Sequence, residues 1–223
     1  MTIAAQFRPG TFVDAFRFMG DHGGLLLSKT GQHVELSGAA LGIALLISLP
    51  IGLWLGHLHR GLFVAASVSN IGRALPSLVL IAFGLTIFGV GFWNNTAALV
   101  VLAIPPILTN AYFAIDGVDQ DAVEAARGMG LTELQVLLRV ELPLGLPLVL
   151  AGVRIAAIFV IATATIAAIA GGGGLGEIIV NQASFGLAGV VAASLCVSAL
   201  AFLAASILSL IRIAASPRHV SVS

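Results

Sequence analysis

Few side chains in this sequence are placed to do chemistry. Gly171, Gly173 and Gly176 match the G-x-G-x-x-G spacing of a nucleotide-binding turn, but no strand precedes them and no βαβ pattern surrounds them, so the match is incidental. His57 and His59 stand two apart and point away from each other on a helix, with no third ligand nearby, so no metal is expected. No paired carboxylates and no Ser/His/Asp arrangement recur, and no G-x-x-x-x-G-K-[ST] phosphate loop exists. The chain is expected to hold no catalytic residue, cofactor or metal. The lone Cys196, between Leu195 and Val197, reads as a small packing residue. Arg73 and Arg154 lie in or beside apolar stretches, where a charge is costly; they either line an inner mouth or extend to the interface.

The elements that carry these residues belong to a membrane. Hydrophobic residues make up 59% of 223 positions and charged ones 9%, against about 25% charge in soluble domains; mean hydropathy is +1.09. The formal net charge is zero and no basic block occurs, which argues against nucleic acid as a partner. Five spans are expected, at 36–58, 62–91, 96–115, 144–170 and from residue 187 to about 211, each near the roughly 20 residues a bilayer core requires. Pro76 predicts a break near Leu75, and Pro105-Pro106 a kink that faces the interior of the bundle. The glycine run 171–176 predicts a turn, and a further break is expected at 184–186. Gly38 and Gly42, and Gly52 and Gly56, permit close helix approach. Residues 1–30 carry too many charges for a signal peptide or a span and read as a tail with a short interfacial helix.

One polar insertion, 116–143, holds six of the ten acidic residues with Arg127 and Arg139, and cannot lie in lipid. Asp119 or Asp121 can cap a helix that Gly130 closes, and Thr132 with Gln135 has capping-box spacing for a second helix, which Pro143 is expected to end. Ala122, Ala125, Ala126 and Met129 give the first helix a small-sided face in want of a partner. Placing this loop inside puts Arg60, Arg127, Arg139, Arg212 and Arg218 in the cytoplasm, with the N-terminus outside and the C-terminus inside; the N-terminal Arg8, Arg17 and Lys29 dissent. Trp93 would mark the outer interface, and Trp54 and Tyr112 the inner one.

Glu124-Ala125-Ala126, three residues, Gly130, nine residues and Val140-Glu141-Leu142-Pro143 together resemble the EAA loop of ABC-importer permeases. Asn70 to Leu78, Pro105 to Tyr112 and Ala170 to Gly176 are most similar to the osmoprotectant permeases of that family, which import glycine betaine, choline or carnitine. The resemblance covers about residues 31–213. It implies an all-α membrane protein with a five-span type I permease core and a cytoplasmic coupling-helix loop, in a prokaryotic cell membrane. Residues 1–30 are then the tail, 31–213 the permease domain and 214–223 a cytoplasmic C-terminal tail.

The resemblance further implies ATPase subunits that bind the ATP, an extracytoplasmic substrate-binding protein and a second permease subunit, identical or related. Glu124, Ala125, Ala126, Arg127, Gly130, Leu142 and Pro143 would couple to the ATPase; Arg73, Pro76, Asn110, Gly171, Gly174 and Gly176 are candidates for the pathway or its gate. With only two Trp and one Tyr, the chain lacks the aromatic cage that selects quaternary ammonium groups, so selection is expected in the binding protein. A permease for another solute such as an amino acid is an alternative. An ion-coupled secondary transporter would need carboxylates at mid-span, and the five spans have none there.

Overall fold

The computed structural model describes residues 10–215, which are helical almost throughout. In chain order the helices are α1 (Thr11–Asp21), α2 (Gly23–His57), α3 (Leu62–Ala74), α4 (Ser77–Phe88), α5 (Phe92–Asp116), α6 (Gln120–Gly128), α7 (Glu133–Val136), α8 (Leu142–Thr163), α9 (Leu175–Val180) and α10 (Gln182–Ala215). A π-helical turn, Leu137–Glu141, joins α7 to α8, and a 3₁₀ turn, Ile166–Ala170, follows α8. Four helices are long and apolar enough to cross a bilayer: α2, α5, α10 and the continuous run Glu133–Thr163. The broken pair Leu62–Gly72 and Ser77–Phe88 makes a fifth if it counts as one span.

Two expected breaks occur for the expected reasons. Leu75 is extended (φ −80°, ψ 115°) because Pro76 excludes the helical conformation from the residue before it, and α4 begins directly after that proline. Inside α10, Gly186 adopts φ 64°, ψ 178°, which divides the helix within the stretch where the turn signal lies.

Other boundaries differ. Helix α2 starts at Gly23 rather than residue 36, so most of the sequence read as a terminal tail with one short helix is α1 followed by the head of a 35-residue helix. Pro105 and Pro106 lie within α5, which continues through them. Pro143 does not end the second loop helix. The Leu142 amide donates to the Leu137 carbonyl, five residues back, and this wider turn carries the chain past a residue that has no N–H to offer. The fourth span ends at Thr163, since the chain tightens into the 3₁₀ turn before the glycines.

The chain divides into two compact units. The first comprises the chain up to Leu41, Pro76–Val100 and Ile158–Leu203. Its core includes Ile81, Ala98 and Ala170, with Leu80, Leu85 and Ile166 packed on them. In α1, Phe18 stacks on His22 and meets the ring of Phe185 edge-on.

The second unit comprises Gly42–Leu75, Val101–Ala157 and the chain from Ala204. Here the later half of α5 is approached closely by three helices. A methyl group at Gly52 would lie 2.8 Å from the Leu108 carbonyl oxygen, and one at Gly56 2.7 Å from that of Tyr112. Gly72 of α3 packs on Pro105, and Gly145 and Gly152 of α8 on Ala114 and Asn110. Small side chains let these backbones approach, which is how helices gain packing energy where lipid is as apolar as their own surfaces. Tyr112, expected at the interface, is buried against Ala65 and Leu108, because Gly61 leaves room for its ring. Trp54 and Trp93 are exposed.

Of the two glycine pairs in α2, Gly52 and Gly56 thus serve an intramolecular contact, whereas added methyl groups at Gly38 and Gly42 would meet nothing. Gly56→Leu is expected to cost about 2 kcal/mol or more through overpacking, and Gly38→Ala to change stability little. Thermal unfolding of the detergent-solubilised protein checks both.

Candidate functional site

The loop between α5 and α8 folds on a small core of its own. Asp119 caps α6 by accepting from the Asp121 amide at 3.0 Å, and Gly130 ends the turn at φ 83°, a conformation glycine adopts without strain. The Thr132 amide donates to Gln135 Oε1 at 2.9 Å, completing the capping box at the head of α7. Val118, Val123, Ala126 and Val136 form the core, with Leu131 and Val140 against them.

This geometry sorts the candidate coupling residues. Glu124, Ala125, Arg127 and Gly130 are exposed, as is Met129 beside them. Ala126 instead points into the loop's core, so it does not lie on the small-sided face expected to meet a partner. Arg127 donates to Glu133 through both Nε (3.1 Å) and Nη2 (3.0 Å), a fork that fixes α6 against α7. The Glu133 carboxylate raises the Arg127 guanidinium further above its already high range. Leu142 is half-buried and Pro143 exposed, just beyond the π turn.

Glu133 also faces His57 at the end of α2, with 3.1 Å between its carboxylate and Nε2. The other ring nitrogen, Nδ1, lies 2.6 Å from Glu141 in the π turn, and Glu141 is fully buried. Carboxylates only accept, so the ring meets both acceptors fully when both its nitrogens carry protons. Next to this group, His59 Nδ1 lies 2.9 Å from Asp116 at the end of α5. A cleft of about 520 Å³ opens here between Trp54, His57, His59, Arg60, Arg127 and Glu133. The sequence separates the two histidines from each other but does not reveal their carboxylate partners. The available signal was Glu141, an acid at the mouth of an apolar segment, which requires a cation at matching depth.

The glycine turn after α8 forms a second cluster, within the first unit. The Gly174 amide donates to Gln32 Oε1 at 3.2 Å, and Gly174 (φ 71°) packs against the buried His33. Gly176 lies against the Thr165 carbonyl, and Gly171 against Val90. Lys29 forms an ion pair with Glu177, a residue whose surroundings the sequence left open. Asn95 donates to the carbonyls of Gly91 (2.7 Å) and Ala170 (3.1 Å).

Pro76 starts α4, and Asn110 turns its amide back to the Pro106 carbonyl at 2.7 Å. The backbone of Arg73 is in α3, and its side chain lies outside the described residues. Arg154 is half-buried in α8, its Nε without a hydrogen-bond partner among the described residues.

Residues 48–218 match the model of the family described as the binding-protein-dependent transport system inner membrane component. The chain belongs to that family. A glycine betaine/carnitine/choline transport system permease protein of Bacillus subtilis is 37% identical over 162 residues, which cover 73% of this chain and 75% of the relative. An osmoprotectant import permease protein of Salmonella typhimurium is 32% identical, with 77% and 82% covered. Among solved structures, a chain of the methionine ABC transporter MetNI in an inward-facing form superposes with a TM-score of 0.76 at 23% identity, over 88% of this chain and 99% of that one. A chain of an amino acid ABC transporter gives 0.69 at 21%, with 87% and 95% covered.

The fold is therefore the all-helical membrane component of an ABC importer, a multi-pass inner-membrane protein. ATP hydrolysis resides on a separate subunit, and the inner membrane component works with that ATPase and a binding protein. Gly130→Val should strain the turn of this component's loop by about 1–3 kcal/mol. Faster hydrogen exchange confined to residues 119–141 would check it.

Proposed function

We propose that this permease subunit moves a small osmoprotectant such as glycine betaine, choline or carnitine across the cell membrane, driven through its 116–143 loop by the ATPase. The observation that carries the loop assignment is the exposed row Glu124, Ala125 and Met129 on a helix pinned by its own cap, its own core and the Arg127–Glu133 fork. Such a face is rigid, small-sided and left without cover by its own chain. Glu124, Ala125, Arg127 and Gly130 form or shape the docking surface, Ala126 supports it from below, and Leu142 and Pro143 connect it to α8. Closure of the ATPase subunits would shift the docked loop, and the helices joined to it would follow.

The substrate class rests on the curated relatives named above, whose names specify betaine, carnitine, choline or osmoprotectants. The solved amino-acid and methionine transporters share the fold at lower identity, which leaves solute choice to the nearer relatives. A second permease subunit completes the pathway, with Arg73, Pro76, Asn110 and the turn at Gly171, Gly174 and Gly176 as its candidate lining or gate. Arg60, Arg127, Arg139 and Arg212 all fall in one compact unit, which supports a cytoplasmic loop and C-terminus with the N-terminus outside. The permease domain runs to residue 213, with 214–223 after it, and the unbroken course of α2 from Gly23 supports a start before residue 31.

In vesicles holding the assembled importer, Glu124→Lys is expected to lower ATP-driven uptake on the order of tenfold by placing a like-for-unlike charge at the docking face. Uptake of labelled glycine betaine, choline and carnitine measures this, and unchanged uptake with normal assembly would sink the loop assignment. Wild-type vesicles that take up none of the three would remove the substrate class alone.

A further inference from the structure

The geometry points to His57 as the positioning residue that passes movement between the 116–143 loop and the first long helix. This inference rests on the reading of that loop as the ATPase contact and adds to it a specific mechanical link. The final residue of α2 is held from two sides: Glu133 at the head of α7 meets Nε2 at 3.1 Å, and Glu141 in the π turn meets Nδ1 at 2.6 Å. Glu133 is itself held by both forks of Arg127 in α6. Arg127, Glu133, His57 and Glu141 thus make one chain of charge-assisted contacts from the exposed helix of the loop to the end of a helix 35 residues long.

Covalent continuity joins the loop to α8 through the π turn and to α5 through Val118, but not to α2, which is 62 residues earlier in the chain at Asp119. Helix α2 packs on the later half of α5 through Gly52 and Gly56, which links it to the loop only by way of α5. His57 ties α2 to the loop directly; its side chain and that of Glu141, 3% and 1% exposed, keep water from their contact, while Glu133 stays open to water. Glu141 meets the ring through Oε2, and its Oε1 has no hydrogen-bond partner among the described residues, so the carboxylate depends on this ring. His59, which meets Asp116 at 2.9 Å, makes a more exposed contact to the end of α5.

Coupling of binding equilibria is reciprocal, so a state of the membrane helices that ATP binding favours in turn favours ATP binding, and a weakened link shows on the ATPase side as well. The test therefore reads how strongly the binding protein stimulates ATP hydrolysis by the reconstituted importer, a quantity that needs no choice of solute. His57→Gln and Glu141→Gln should each lower that stimulation by about three- to tenfold, while complex assembly and unstimulated hydrolysis per complex stay at wild-type levels. Because the two residues act as one link, the double variant should be no worse than either single one. Stimulation that survives both substitutions, or losses that add in the double variant, would overturn the inference. So would a parallel loss of assembly and of unstimulated hydrolysis, which marks a folding role only. Glu124→Lys in the same assay separates the two readings. If it abolishes stimulation while the His57 variants do not, the His57 link fails and the docking loop stands; if it changes neither assembly nor stimulation, the loop reading fails first.

Discussion

In a bilayer, each backbone amide and carbonyl released by a helix end needs a partner supplied by protein. Most of the irregular features of this chain follow from that requirement. Where α4 gives way to α5 and α8 to the glycine turn, the side-chain amide of Asn95 meets the carbonyls of both Gly91 and Ala170. Gln32 takes the free amide of Gly174. The break before α4 leaves Leu75 extended, yet its amide still reaches the Ile71 carbonyl. Non-helical backbone is tolerated at these points because a polar side chain or a neighbouring carbonyl pairs with the groups it frees.

The same requirement explains which helices approach each other. Helix α5 contains two prolines and two buried asparagines, and it is the most buried of the four long helices. Glycines at 52, 56, 72, 145 and 152 let its neighbours in the second unit close upon it. The second unit is thus packed around the later half of α5, against which its neighbours place small residues.

What could be read in the sequence were features determined within a few residues. Composition identifies the spans; Pro76, Gly130, Gly186, Asp119 and the Thr132–Gln135 pair each act on the backbone next to them, and each does what its type requires. The errors arose where a distant residue changed the meaning of a local one. Lys29 looked too costly for a long helix until Glu177, 148 residues away, supplied its partner. Tyr112 looked like an interfacial anchor because the space made for it by Gly61 is not a sequence pattern. Glu141 looked like one more acid in a polar loop, although His57 lies 84 positions before it. Ala126 could not be told from Ala125 by type, and only the packing of Val123 and Val136 separates the inner from the outer alanine.

The π turn at Leu137–Glu141 has a consequence for the spacing of the loop and the span that follows. A wide turn absorbs one more residue than an α turn while the helix on either side continues. The faces of α7 and α8 are therefore kept in phase across a stretch that counts one residue too many. Loss of a single position here could be taken up by reversion to an ordinary turn, whereas gain of one would rotate α7 around the helix axis and carry Glu133 away from His57. The tolerance of this joint to changes in length is thus lopsided, and the surplus residue acts as slack between the part of the chain in water and the part in lipid.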